Sequence, residues 1–262
     1  MSFTSWLTDR IILRPTRHSL HVPHRKPLLL PHGDGLQEVW VHCVGTNRQM
    51  PPDLYLLEFP GTASRAEDST DFIEHCWQQS CVEIWAVNPP GYGKSSGRAS
   101  LKTLPAIAEC ALTALRKQAG DRPVIAAGGS LGSVSALYLA AHHRVDGVMV
   151  QNPPALREVI LMQSGWWHFK WLTRRIAAQI PGELDSLANA RKATVPAIFV
   201  TAQQDRVVPP TIQQQIIEAY GGPLKVLAMP QAGHGTLLAE ADVERLRPLA
   251  DWLRYQVVTV DD

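Results

Sequence analysis

The sequence predicts an α/β fold: a mostly parallel central sheet with an N-terminal antiparallel hairpin and helices on both faces. From about residue 53, short apolar runs alternate with longer segments whose apolar residues recur at helical spacing. The short runs are apolar almost throughout, as is typical of parallel strands that are buried on both sides. Because the strands and helices alternate, we expect them to share one sheet.

The first two strands are expected to pair in antiparallel fashion. Apolar runs at residues 27–31 and 36–44 flank the turn-forming sequence Gly33-Asp34-Gly35. A tight Asp-Gly turn joins neighbouring antiparallel strands. The chain therefore begins its sheet with a hairpin and continues with parallel strands.

The later elements follow in order along the chain. Strand 54–59 ends at Pro60-Gly61, and a polar run with capping residues leads into a helical segment at 72–79. Gly120 is suited to the C-cap of a helix at 101–118. The other expected strands are 83–87, 123–127, 145–150, 197–201 and 225–229, and the other expected helices are 133–142, 211–220 and 241–256.

One segment breaks the alternation, and we interpret it as a lid. We expect a single domain over residues 1–262, with a helical lid insert at 153–195 above the sheet edge where open α/β sheets bind ligands. Trp166 and Trp167 are candidate substrate contacts, because aromatic rings supply a large apolar contact area. Two alternatives stay open: these rings pack the lid onto the body, or the Trp- and Arg-rich lid lies on a membrane surface.

Composition and charge narrow the range of functions. The 25 basic and 24 acidic residues nearly cancel, so no concentrated basic surface is expected for nucleic acid. The four cysteines lack the spacing of a zinc site. We find neither a secretory signal nor an apolar run long enough to span a membrane. We therefore expect a cytoplasmic protein with reduced cysteines and no metal; the oligomeric state stays open.

A Gly-x-Ser-x-Gly pattern at residues 128–132 follows the expected strand 123–127 and precedes a helix. A serine nucleophile needs this context, since it must sit on a tight turn above the sheet with small residues around it. The helix N-terminus then directs backbone N–H groups toward a developing oxyanion. Ser130 is the candidate nucleophile, and an ordinary strand–helix turn is the alternative.

The acid and the base should follow the serine along the chain, in that order. Asp205 lies just after strand 197–201, and His234 lies in the loop after strand 225–229. No other histidine occurs after residue 168. Asp205 would hold the imidazole tautomer of His234 and stabilise the imidazolium. Its alternative role is that of an N-cap or turn aspartate before the helix that is expected to start near Pro209.

Two backbone N–H groups must face the carbonyl oxygen as it becomes negative. We assign these donors to Leu131, directly after the nucleophile, and to Thr62, in the loop after strand 54–59. Gly61 in that loop would let the main chain approach the substrate closely. His32-Gly33 also looks like the oxyanion loop of some lipases, but the hairpin is favoured because no crossover helix follows it.

Together these motifs resemble the serine-nucleophile α/β-hydrolases over nearly the whole chain after residue 27. The matching segments are 59–61, 88–97, 128–132, 205–209 and 233–235. At residues 59–61 the chain has Phe-Pro-Gly instead of the family's commoner His-Gly pair. The serine at the turn argues against haloalkane dehalogenases and epoxide hydrolases, which carry aspartate there.

The resemblance implies a serine hydrolase of the esterase, thioesterase or aminopeptidase-like kind. Ser130 would form an acyl-enzyme with a small-molecule ester, thioester or amide, an apolar acyl group being favoured, and no cofactor is implied. The rival interpretations are an acyltransferase or lyase on the same scaffold, and a catalytically silent binding protein.

Overall fold

The computed structural model of the chain describes residues 3–18, 20, 22, 25–45, 51–68, 76–77, 81–163 and 170–258. The helix expected at 72–79 falls almost entirely outside these ranges, and so do the lid residues Trp166 and Trp167.

A mixed eight-stranded sheet runs through the described part of the chain, in the order β1-β2-β4-β3-β5-β6-β7-β8. β2 pairs antiparallel with β1 and with β4, and the remaining neighbours are parallel. The hairpin and the mostly parallel sheet are therefore confirmed. The strands are β1 (Lys26–His32), β2 (Gly35–Val44), β3 (Leu54–Phe59), β4 (Val82–Val87), β5 (Val124–Gly129), β6 (Gly147–Gln151), β7 (Ala197–Ala202) and β8 (Leu224–Met229).

Helices follow most of the strands. In chain order the described α-helices are α1 (Phe3–Leu13), α2 (Leu104–Ala119), α3 (Leu131–His142), α4 (Leu156–Gln163), α5 (Lys170–Ala177), α6 (Ser186–Lys192), α7 (Pro210–Ala219) and α8 (Glu240–Val258). None of these, in the ranges the structure covers, combines the length and apolar character that crossing a bilayer requires. The segment expected to form a lid contains α4, α5 and α6.

The sheet separates two hydrophobic clusters, because successive side chains of a strand point to opposite faces. Tyr55 and Leu57 of β3 join the cluster that contains residues of α2 and α3. Leu54 and Leu56 of the same strand join the cluster that contains residues of α8. All four side chains are at most 1% exposed, so β3 is buried on both faces as a central parallel strand should be.

The structure differs from the expected elements at several boundaries and by one additional helix. The helix after the Gly-x-Ser-x-Gly pattern begins at Leu131 rather than at residue 133, and the strand before it continues to Gly129. The sequence also gave no signal for α1. Its polar residues Ser5, Thr8 and Asp9 are buried, which obscures the apolar stripe of an amphipathic helix.

Candidate active site

Ser130 lies on the sharp turn between β5 and α3. Its backbone φ is +48°, a strained value for a residue with a Cβ atom. The Ser130 N–H donates to the carbonyl of Gln151 at 2.8 Å, and the Ser130 carbonyl accepts from Ser133 N–H and Oγ at 3.0 and 2.5 Å. These bonds hold the strained turn in place.

The glycines around Ser130 are required by contacts with neighbouring backbone. A Cβ added at Gly132 would lie 1.8 Å from the carbonyl oxygen of Phe59, and one at Gly128 would lie 2.4 Å from the Gly132 carbonyl carbon. Real Cβ atoms do not approach backbone so closely. The sequence pattern thus reflects backbone contact of the start of α3 with the end of β3 and with the end of β5.

Three side chains distant in sequence meet above this turn. His234 Nε2 lies 2.9 Å from Ser130 Oγ, and His234 Nδ1 lies 2.7 Å from Asp205 Oδ2. A carboxylate only accepts hydrogen bonds, so Nδ1 carries the proton and Nε2 is free to accept from the serine hydroxyl. The geometry allows a proton to pass from Ser130 to His234.

Asp205 contacts His234 and also acts as a turn aspartate, although it does not cap helix α7. Its Oδ1 accepts from the N–H groups of Val207 and Val208, each at 2.8 Å, as a turn aspartate does. Its Oδ2 faces His234 and also accepts from Gln213 Nε2 at 3.2 Å. The Asp205 side chain is fully buried, whereas that of His234 is 23% exposed.

Two supporting residues were missed by the sequence analysis. Gln213 is 1% exposed, and its amide bridges Asp205 and the Val208 carbonyl, the latter at 2.7 Å. Asn152 has a φ of +47° and donates to the His234 carbonyl at 3.3 Å. The sequence offered one signal for Gln213: it is a glutamine on an otherwise apolar face of helix α7.

The two proposed oxyanion donors lie at the start of α3, directly after the serine, and in the loop after β3. Gly61 approaches the turn, since a Cβ added to it would lie 3.2 Å from the Gly129 carbonyl oxygen and 3.5 Å from Ser130 Cβ. Leu131 is the first residue of α3, where N–H groups lack helical acceptors. Within the part of the chain that the structure covers, the N–H groups of Leu131 and Thr62 donate to no protein acceptor.

The end of α1 fixes the loop that carries Thr62. The Leu13 carbonyl accepts a bond from Ala63 N–H at 3.2 Å and another from the Tyr92 hydroxyl. Burial raises the pKa of Tyr92 to about 12, so this hydroxyl keeps its proton at neutral pH. Ala63 has a φ of +60°, and the Leu13 bond stabilises this unusual conformation.

A buried group of charged and polar side chains anchors the same loop from below; we call it the loop-anchoring network (Arg65, Glu67, Asn88 and Glu38). Arg65 pairs with Glu67 and donates to the His18 carbonyl at 2.8 Å. The Asn88 amide donates to Glu67 at 2.8 Å and to Glu38 at 2.9 Å. The network therefore joins β2, the loops after β3 and β4, and the segment after α1.

A small apolar cavity of about 20 Å³ lies behind the turn. It is lined by residues that include Leu13, Gly61, Tyr92, Leu104, Ile107 and Leu131. A space of this volume holds about one water-sized group. α1 thus contributes both to the position of the loop that carries Thr62 and to the lining of this cavity.

The other histidines considered lie elsewhere. His32 pairs with Gly35 across the hairpin, and His142 Nε2 lies 3.2 Å from Asn189 Oδ1 at the end of α3. Among the described residues, no group of three or more His, Cys, Asp or Glu side chains is arranged to hold a metal ion.

Comparison with known proteins points to one family. Residues 69–194 match the family model described as alpha/beta hydrolase fold. Alpha/beta hydrolase domain-containing protein 17B of Xenopus laevis is 29% identical over 205 residues, which cover 76% of this chain and 67% of that protein. An uncharacterized protein of Mycobacterium tuberculosis is 30% identical over 148 residues, 55% of this chain. The match spans 50% of the mycobacterial protein.

Solved structures show the same fold at low sequence identity. An esterase of Pyrococcus furiosus superposes with a TM-score of 0.70 at 13% identity, covering 94% of this chain and 97% of the esterase. An acylaminoacyl peptidase of Pyrococcus horikoshii superposes with a TM-score of 0.65 at 11% identity, covering 93% of this chain and 43% of the peptidase. The chain therefore has the α/β-hydrolase fold.

Proposed function

We propose, from the premise that this chain belongs to the α/β-hydrolase superfamily, that it is a serine hydrolase. It would cleave a carboxylic ester, thioester or amide through an acyl-enzyme on Ser130. The hydrolase fold and its esterase and peptidase neighbours support hydrolysis in general. The serine mechanism and the acyl substrate are our proposal.

The observation that carries the proposal is the continuous hydrogen-bonded path from Ser130 through His234 to Asp205, with distances of 2.9 and 2.7 Å. In the proposed mechanism Ser130 Oγ attacks the substrate carbonyl as His234 Nε2 takes its proton. His234 then gives this proton to the leaving group, and water releases the acid by the reverse sequence. Asp205 holds the imidazole tautomer and stabilises the imidazolium.

The negative charge on the substrate oxygen would be stabilised by the N–H groups of Leu131 and Thr62. Support comes from the absence of protein acceptors for these two groups among the described residues and from the close approach of Gly61 to the turn. Donors held in place before reaction need no reorganisation as charge develops. The bond from Ala63 to Leu13 would keep the Thr62 side of this site fixed.

The substrate is proposed to be a small molecule with an apolar acyl group, and residues 153–195 are proposed to act as a lid. The apolar lining beside the turn, which includes Leu104, Ile107 and Leu131, supports the apolar character of such a group, although the cavity of about 20 Å³ has room for only a small part of it. Contacts from Trp166 and Trp167 remain part of the proposal.

Covalent labelling tests the nucleophile. A fluorophosphonate probe should add one label to the wild-type chain, none to Ser130→Ala, and a slower label to His234→Ala. Ser96→Ala is the matched control, because Ser96 is an exposed serine whose hydroxyl accepts from Leu36 N–H at 3.1 Å, outside the proposed site. The proposal would be ruled out if the wild-type chain took up no label while its circular dichroism spectrum showed that it was folded.

A substrate panel separates the remaining alternatives. p-Nitrophenyl esters of increasing acyl length, acyl-CoA thioesters and aminoacyl anilides should distinguish ester, thioester and amide cleavage. Products formed with and without an added alcohol distinguish hydrolysis from acyl transfer. A chain that is labelled but turns over none of these compounds would point to a lyase or to a silent binding protein.

A further inference from the structure

A second and larger pocket, of about 370 Å³, lies between α1 and the loop after β4. It shares no lining residue with the cavity beside Ser130. The lining side chains that carry polar or aromatic groups are Trp6, Asp9, Arg10, Arg17 and Arg98.

Three arginines give this pocket an excess of positive charge. Within the described ranges, the side chains of Arg10 and Arg98 form no hydrogen bond or ion pair with another residue. Arg17 donates through one nitrogen, Nη2, to the carbonyls of Ser95 at 3.2 Å and Gly97 at 2.7 Å, which fixes it against the loop. Three neighbouring guanidinium groups repel one another, and their planar N–H groups match the oxygens of a phosphate.

Asp9 adds a buried acceptor to the same pocket. It is 5% exposed, and its Oδ1 accepts from Leu101 N–H at 2.9 Å. Its Oδ2 is buried and accepts no hydrogen bond from any residue that the structure describes. Buried polar atoms are nearly always hydrogen-bonded, so a ligand donor near Asp9 would complete the arrangement.

We propose that this pocket binds a phosphate ester that also carries a hydrogen-bond donor, with the phosphate on the arginines and the donor on Asp9. Phosphate is favoured over carboxylate because its terminal oxygens can meet guanidinium groups that arrive from two chain segments. The Trp6 ring offers an apolar wall for the remainder of the ester. Polyol phosphates and nucleotides share this chemistry.

Titration calorimetry of the full chain, at fixed ionic strength, tests the site without requiring turnover. The probes are inorganic phosphate, glycerol 3-phosphate and AMP. At least one of the two esters should bind saturably and more tightly than inorganic phosphate. The double variant Arg10→Ala/Arg98→Ala should weaken ester binding by about 10- to 100-fold, since it removes two charged donors.

A charge-matched control is Arg144→Ala/Arg191→Ala, which removes two exposed arginines outside the pocket and should bind like the wild type. Asp9→Asn keeps an oxygen for Leu101 N–H but removes the carboxylate. The variant should therefore show a smaller difference in affinity between the ester and inorganic phosphate. The proposed site would be wrong if the two double variants bound the esters with equal affinity, or if none of the probes bound saturably. Inorganic phosphate binding as tightly as both esters would overturn the ester assignment.

Discussion

Two hydrogen-bonded networks lie at the same edge of the sheet and differ in how they end. The first, which we propose as a catalytic triad, joins Ser130, His234 and Asp205; it runs from buried Asp205 to His234, whose side chain is 23% exposed. The loop-anchoring network closes on itself, with the Arg65 and Glu67 side chains only 4% and 2% exposed. A reacting group must be accessible at one end of its network, because substrate has to reach it. The closed network is suited to hold a loop in one position.

The largest effect should come from the open network. Asp205→Asn keeps an oxygen for the Val207 and Val208 N–H groups but presents an amide to His234, which selects the wrong tautomer. We expect kcat on a p-nitrophenyl ester to fall by about 10⁴-fold, with little change in the thermal midpoint. Asp146→Asn is the control, because Asp146 also accepts a backbone N–H, that of Val124, but lies outside the site. Similar kcat values for the two variants would remove the distinction between the networks.

An intermediate effect, on stability, is expected from the closed network. Arg65→Met leaves the buried Glu67 carboxylate without its guanidinium partner, and we expect the free energy of unfolding to fall by about 3–5 kcal/mol. Urea denaturation measures this change. The control Arg116→Met removes a partly exposed ion pair with Asp146, 2.7 Å long, and should cost about 0–1 kcal/mol. An unchanged denaturation midpoint for Arg65→Met would show that the network anchors nothing.

The smallest effect should come from Tyr92, whose hydroxyl donates to the same Leu13 carbonyl that accepts from Ala63 N–H in the loop that carries Thr62. Tyr92→Phe removes one bond to the Leu13 carbonyl and loosens the loop that carries Thr62, so we expect kcat to fall by about tenfold with little change in KM. Tyr220→Phe is closely matched, because its hydroxyl donates to the Val195 carbonyl at 2.8 Å in another part of the protein. Both variants should lose about 1 kcal/mol of stability. A drop in kcat shared by both would indicate a general packing effect.

The same contrast explains what the sequence could predict. Ser130, Asp205 and His234 each follow a recognisable apolar strand, and the parallel order of the strands brings such loops to one edge. The hairpin around Asp34 and the buried parallel strands were equally readable. These features depend on local patterns that repeat along the chain.

The loop-anchoring network and α1 depend on partners that no local pattern reveals. Glu38 lies in a strand that reads as apolar, and Asn88 reaches it from 50 residues away in sequence. α1 hides its helical character because polar residues such as Thr8 and Asp9 are on its buried side. The carbonyl of Leu13 has no sequence signature at all, since every residue has a carbonyl.

Position 132 has a practical consequence for protein engineering. Since a Cβ there would lie 1.8 Å from the Phe59 carbonyl oxygen, the first turn of α3 and the end of β3 are spaced by backbone alone. Mutant libraries aimed at new substrates should keep this glycine fixed and diversify the cavity residues Leu104 and Ile107 instead. A screen that randomised position 132 would recover glycine almost exclusively, whatever substrate was used for selection.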